Sequence, residues 1–297
     1  MARTMLGEAT DGLTGFKSDG RNPHLPLRGP GSNEAQVRYL EALLYELATR
    51  LGAGEWEKIR NIRRREIGDP LTVRVNGQTV CLDYLQAVLE LEFIEKELDL
   101  QDTWIMEIGS GYGCICHAML SNYDIAGYAI IGSRDTLTLT RSYLRAVLSD
   151  AQYAKVRFIR VTEAAAALRS SRFEPAVFDL CVNVQSFTEK SLRPARAHLG
   201  LIDRKCTAFF AKSPVGTYAE PAVAAHRRSG AENRAARANG PLRQLADLHG
   251  TEAVEAASAD FRVAHRPGPA WSCAADGRGV PWSHFWQALY KKASVRP

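Results

Sequence analysis

Ile105-Met106-Glu107-Ile108-Gly109-Ser110-Gly111-Tyr112-Gly113 reads as a buried strand, a glycine-rich turn and the start of a helix. Trp104 to Ile108 is a short apolar run with one acid near its end. After Gly113, Cys114-Ile115-Cys116-His117-Ala118-Met119-Leu120 has apolar spacing that suits a helix. A strand that turns into a helix through small residues brings bare backbone close to a ligand. This pattern marks the first βα turn of a doubly wound α/β sheet, where such folds bind nucleotides. The dinucleotide fingerprint Gly-x-Gly-x-x-Gly/Ala needs a small third residue, but that place holds Cys114 and the glycines run Gly-x-Gly-x-Gly. Glu107, two residues before the first glycine, would repel a pyrophosphate.

Working outward, strands and helices alternate from Thr103 onward, which implies a parallel sheet. The pattern predicts strands at Gly127–Ile131, Val156–Val161, Val177–Asn183 and Cys206–Ala211. It predicts helices at Asp135–Leu148 and Glu163–Leu168, and a last pair of strands at Phe261–His265 and Trp282–Tyr290. Residues 214–250 read as an Ala/Arg-rich insertion. Upstream, Val37, Leu40, Leu43, Leu44 and Leu47 mark an amphipathic helix over Asn33–Leu51, capped by Ser32 or Asn33. A second helix is expected over Glu55–Ile67. Leu71–Val75 and Gln78–Leu82 flank Asn76-Gly77, a favoured two-residue hairpin turn. Asp83 is expected to cap a helix running to Leu98. The expected organisation is a flexible N-terminal arm (1–32), a mostly helical cap with a hairpin (33–100) and a nucleotide-type domain (101–297).

Bulk properties narrow the function classes. Of the 297 residues, 45% are hydrophobic and 24% charged, as in a soluble globular protein. No apolar run is long enough to cross a membrane, and residues 1–32 have no apolar signal core. A cytoplasmic location is expected. Six cysteines without a secretion signal argue for reduced thiols. Cys114, Cys116 and His117 would point in different directions on a helix, so core packing is expected there and no metal site. The net charge of +5 sits partly in Arg60-Asn61-Ile62-Arg63-Arg64-Arg65 and His226-Arg227-Arg228. These runs lack interleaved aromatics, so they read as solvated helix faces; no nucleic-acid partner is expected.

Glu107-Ile108-Gly109-Ser110-Gly111-Tyr112-Gly113 resembles motif I of class I S-adenosylmethionine (SAM) methyltransferases. There the glycine turn lies along the methionine and ribose of SAM and the acid helps hold its amino-acid end. A carboxylate suits a ligand that carries an ammonium and a sulfonium. Over residues 55–297 the chain resembles the sugar O-methyltransferase family of bacterial secondary metabolism. The likeness rests on Ile67-Gly68-Asp69-Pro70, the glycine turn, Thr136-Leu137-Thr138-Leu139 with Tyr143-Leu144, Phe178 through Glu189, and Ser213 through Tyr218. It implies a Rossmann-like class I methyltransferase sheet, SAM or S-adenosylhomocysteine as cofactor, and a small sugar or polyketide as substrate. The chain could act as a homodimer. Two positions depart from the family. Gly132 stands where the second strand usually ends in a carboxylate that holds the ribose, and Lys190 stands where relatives tend to have Met.

The resemblance assigns Glu107, Gly109, Ser110, Gly111, Gly113, Gly132, Ser133, Thr162 and Asn183 to the cofactor. Ser133 or Asp135 would compensate for Gly132, and Thr162 with Glu163 would meet the adenine. Catalysis is expected from residues that follow the fourth strand and from the last strand. Glu189 is the nearest proton acceptor, Gln185 can orient a hydroxyl, and His284 can act as a base near neutral pH. Tyr112, Tyr218, Trp271 and Trp282 are candidates for an apolar substrate pocket, with core packing an equal role for each. The expected activity is O-methylation of a deoxysugar or polyketide hydroxyl. The alternative keeps SAM bound without methyl transfer and catalyses dehydration or cyclisation, such as spiroacetal formation on a polyether-type polyketide.

Overall fold

The computed structural model describes residues 13–17, 34–169, 175–189, 192–215, 251–281 and 284–293. Ser32, Asn33, Lys190, Tyr218 and Trp282 lie outside these residues, as do residues 216–250 of the expected insertion and the Glu189 side chain. The chain divides into two compact units, one drawn from residues 1–102, 111–126 and 134–157, the other from 103–110, 127–133 and 158–297.

The first unit begins with α1 (Glu34–Thr49) and α2 (Ala53–Asn61), followed by the hairpin β1 (Thr72–Val75) and β2 (Gln78–Cys81) and by α3 (Leu82–Glu95). It also holds α4 (Cys114–Asn122), α5 (Arg134–Val147) and α6 (Asp150–Ala154). Thr72 pairs with Cys81 and Val75 with Gln78 across Asn76 and Gly77, both at positive φ as the expected turn requires. The second helix is shorter than expected. It stops at Asn61 because Ile62 turns extended, and the Arg65 guanidinium then bonds the carbonyls of Ile59, Ile62 and Thr79. Asp83 does not cap α3; Cys81 holds the N-cap position, and Asp83 instead accepts the Tyr112 hydroxyl at 2.7 Å. Part of the stretch expected to be a loose arm is packed. Leu13, Phe16 and Lys17 are all buried in this unit.

The second unit contains β3 (Trp104–Ile108), β4 (Gly127–Gly132), most of β5 (Val156–Arg160), α7 (Ala164–Ala167) and β6 (Phe178–Val184). A 3-10 turn at Ser186–Glu189 leads to α8 (Leu192–Lys205) and β7 (Cys206–Pro214). After α9 (Thr251–Ala264) come β8 (Trp271–Arg278) and β9 (Phe285–Lys292). The seven-stranded sheet has the order β5-β4-β3-β6-β7-β9-β8. Its β4–β3, β3–β6 and β6–β7 pairs are parallel, while β9 runs antiparallel to both β7 and β8. The fold is therefore Rossmann-like α/β, with β9 inserted before the last edge strand of the 3-2-1-4-5-6 order.

Phe261–His265, expected as a strand, is the end of α9. Val254, Ala257, Ser258 and Phe261 are its buried positions, at helical spacing. One face of the sheet packs against α7, α8 and α9 through residues such as Met106, Ile131, Phe209, Leu199, Ile202 and Phe261. Each such large apolar side chain contributes about 1.5–3 kcal/mol on full burial. The strand order reverses between β3 and β6, and in open α/β sheets ligands bind outside the carboxyl ends at that point.

Candidate functional site

Alternation along β3 sends Met106 and Ile108 into the apolar core and Glu107 to the other face. Glu107 is 3% exposed and accepts the Tyr128 hydroxyl at 2.9 Å. A carboxylate this deep in a strand needs such partners, because burying an unpaired charge is costly. The carbonyl of Ile108 then accepts the Asn183 amide at 2.7 Å and the Ser186 hydroxyl at 3.0 Å. The chain beyond β6 is thus stitched to the end of β3.

The three glycines of the turn all have positive φ (79°, 56° and 99°), yet their surroundings differ. A Cβ at Gly109 would lie 2.2 Å from Ser186 Cβ. A Cβ at Gly113 would lie 3.0 Å from Leu144, so this glycine lets α4 approach α5. Among the described residues a Cβ at Gly111 would meet nothing within 4 Å. Gly111 alone of the three presents backbone to open space, where a ligand can lie along it. Its carbonyl is held by the Thr140 hydroxyl at 2.9 Å.

Gly132 ends β4 buried, and its carbonyl accepts Val161 N–H at 2.9 Å. Ser133 and Asp135 are exposed just beyond it, and no carboxylate occupies the strand end. Thr162 is exposed after β5, and Glu163 pairs with Arg160.

At the carboxyl ends of β6 and β7 the polar groups are denser. Gln185 has φ of 62°, unusual for a residue with a Cβ, and its N–H bonds the Lys212 carbonyl at 2.7 Å. Strain of this kind is retained where surrounding structure enforces it and clusters at functional sites. Asn183 is fully buried; among the described residues its Oδ1 has no hydrogen-bond partner, and neither does the buried Ser213 Oγ. Unsatisfied buried acceptors are rare enough to mark a place where a water or ligand group is accommodated. His284 precedes β9, half-buried, and its carbonyl accepts Val215 N–H at 2.8 Å, level with the Pro214–Phe285 pair. Gln185, His284, Asn183 and Ser213 therefore share the carboxyl end of the sheet. Sequence reasoning passed over Lys212, which is 1% exposed in β7 opposite Val184 and runs its stem beside Gly279. The available signal was a cation closing the apolar run Phe209-Phe210-Ala211.

Two pocket candidates have packing partners of their own. Trp271 begins β8 opposite Lys292, at the amino end of β7, and donates its indole N–H to Asp203 at 2.7 Å. It is a core residue at the far end of the sheet from Gln185. Tyr112 is 8% exposed, with its ring edge-on to Phe16 and Tyr143 and its hydroxyl on Asp83. It serves packing. His117 likewise hydrogen-bonds Tyr84 within the core, at 2.5 Å.

No family model matches the chain, and no curated protein matches it. Solved structures similar to it include the glycopeptide N-methyltransferase MtfA, at 12% identity over 70% of this chain and 90% of that chain, TM-score 0.44. PigF with S-adenosylhomocysteine matches at 13% identity over 86% of this chain and 68% of that chain, TM-score 0.42. The methyltransferase domain of bacterial CtHen1 matches at 10% identity over 69% of this chain and 97% of that chain, TM-score 0.44.

Proposed function

We propose that this chain is a SAM-dependent O-methyltransferase-like enzyme acting on a hydroxyl of a deoxysugar or polyketide. The observation that carries the cofactor reading is the open Gly111 backbone, two residues after a glycine filled by Ser186 and two before one filled by Leu144. Positive φ already favours glycine at this position, and the open space beside it leaves room for a ligand along the backbone. Glu107, Gly109, Ser110, Gly111 and Gly113 would hold the methionine and ribose side, with Ser133 and Thr162 toward the nucleoside. SAM, when bound, supplies an electrophilic methyl group.

The chain's own residues have simpler tasks. Gln185, fixed by its strained backbone, orients an acceptor hydroxyl through its amide. His284 would take the hydroxyl proton, a reading supported by its position at the same end of the sheet and by the chemistry of an imidazole. Glu189 is kept as a second candidate from its backbone position after β6.

Titration calorimetry with S-adenosylhomocysteine tests the cofactor reading. Binding is expected in the wild type and is lost in Gly111→Val, whose branched side chain fills the open space and resists positive φ. No heat and no thermal shift at saturating ligand would refute it. A second reading is favoured by Gly132. A strand end without the ribose carboxylate suits an enzyme that keeps SAM as a fixed charge for dehydration or cyclisation. Radiomethyl-SAM separates the two: label in the product supports methylation, whereas cofactor-dependent conversion to unlabelled product supports the second. Gly132→Asp is expected to tighten SAM binding by at most about 1–2 kcal/mol. Unchanged affinity would place the ribose on another group.

A further inference from the structure

The Ile67-Gly68-Asp69-Pro70 motif and the buried Lys17 have no part in the reaction above, yet they meet in the first unit. Lys17 donates its backbone N–H to Gly68 O at 2.9 Å, and Gly15 N–H bonds the Asp69 carboxylate at 2.8 Å. Gly68 has φ of 98°, and a Cβ there would lie 2.3 Å from the Phe16 ring. The motif is shaped as a seat for residues 15–17.

From that seat the Lys17 side chain enters a box of aromatic rings. Its ammonium lies 4.6 Å from the Tyr143 ring centre, 4.9 Å from Tyr112, 5.1 Å from Tyr84 and 5.7 Å from Phe16. It donates to the Tyr143 hydroxyl at 3.0 Å and to Arg65 O at 3.1 Å. The Tyr143 hydroxyl bonds that of Tyr84, and Tyr84 bonds His117 Nδ1. The His117 ring also bonds the Arg63 backbone, which leaves Nδ1 as the acceptor. The protons therefore point one way, from Lys17 through Tyr143 and Tyr84 to His117. Burial, and then the Lys17 charge, push the His117 pKa down to about 3, so its ring stays a neutral acceptor. Burial also lowers the Lys17 pKa, against the opposing pull of Cys81, Cys114, Asp83 and Glu66.

One wall of the box is Tyr112, the residue between Gly111 and Gly113. Phe16 meets its ring at 5.2 Å and Tyr143 at 4.8 Å. The helix that supplies Tyr143 also supplies Thr140 to the Gly111 carbonyl and Leu144 to Gly113. The segment that carries Lys17 thus grips Tyr112, the middle one of the three residues that α5 grips.

We propose that Lys17 is a positioning residue for the glycine turn. By filling the aromatic box it fixes Tyr112, and through it Gly111 and Gly113, so seating of residues 13–17 and cofactor binding are coupled. This rests on the cofactor reading given above. Coupling is reciprocal: what seating does for ligand affinity, ligand does for seating.

The probe is S-adenosylhomocysteine with the full chain, in two arms. Calorimetry compares the wild type with Lys17→Met, which keeps an apolar stem and removes the cation and both hydrogen bonds. Affinity is expected to fall about tenfold, within the usual range of such couplings. Trypsin digestion of the wild type, followed by mass spectrometry, reads cleavage after Lys17 against cleavage after the exposed Arg50 of the same unit. Saturating ligand is expected to slow the Lys17 cut at least about tenfold more than the Arg50 cut. Heat of binding with an unchanged ratio of the two cuts overturns the proposal, even if Lys17→Met fails to fold. So does a folded Lys17→Met with affinity within about twofold of wild type. Absence of any heat with the wild type overturns the cofactor reading itself and this proposal with it.

Discussion

Gly109, Gly111 and Gly113 are chemically identical and do different work. Gly109 makes room for Ser186, Gly113 makes room for Leu144, and Gly111 faces open space. Gly109→Ala is expected to displace Ser186 and loosen its bond to Ile108, lowering stability by about 2–3 kcal/mol. Gly111→Ala carries only the cost of its positive φ, about 1 kcal/mol, and is expected to act mainly on ligand affinity. Urea unfolding of the two variants checks the order; equal losses would refute the division of labour. The motif itself was legible because it is local, a strand, a turn and a helix within nine residues. Which glycine faces open space was not, because Ser186 lies 78 residues beyond Ile108 and its contact is made only in the folded sheet. Lys212 and Ser213 were hidden for a similar reason. A lysine and a serine at the end of an apolar run look like the start of a loop until the register with β6 shows them buried.

Elements were read best where local chemistry leaves one choice. The Asn76-Gly77 hairpin and the buried β3 and β4 fall close to where their sequences put them. Misreadings came where a short segment satisfies two periods. Phe261-Arg262-Val263-Ala264-His265 alternates like a strand, yet Val254, Ala257 and Phe261 face one way only as a helix, and the helix wins by length. The short helix α6 was missed altogether, although Ser149 and Gln152 form a reciprocal capping box in front of it. Ser149→Ala is expected to cost about 1 kcal/mol, measured by urea unfolding, with Ser149→Asp retaining most of it. A loss below a few tenths of a kcal/mol would mean that packing against its neighbours, through bonds such as Gln152 to the Leu120 carbonyl, holds this turn without its cap.

At the scale of the whole molecule, two buried histidines set a response to acid. His117 is pushed down to about 3 and His265 to about 4, in both cases chiefly by burial. An unfolded histidine takes up its proton near pH 6.5. Below that value the unfolded chain binds more protons than the folded one, so stability is complete above about pH 6.5 and falls toward about 4. Each histidine steepens the fall by up to about 1.4 kcal/mol per pH unit. His265→Phe, which keeps a ring beside Phe261, is expected to make the acid limb of a stability–pH curve shallower; an unchanged slope would show that other groups govern it. The bond from Lys17 to Tyr143 has a consequence for the order of assembly. It closes a loop of 126 residues, so this bond waits until α5 has been made, whereas the Arg65 carbonyl and the Gly68 seat come earlier in the chain. The entropy of closing so long a loop grows only slowly with its length, so lateness costs little in stability. It does delay completion of the aromatic box: a lysine tail can wait in water during synthesis, and an early-made piece of the chain makes its last contacts only with α5.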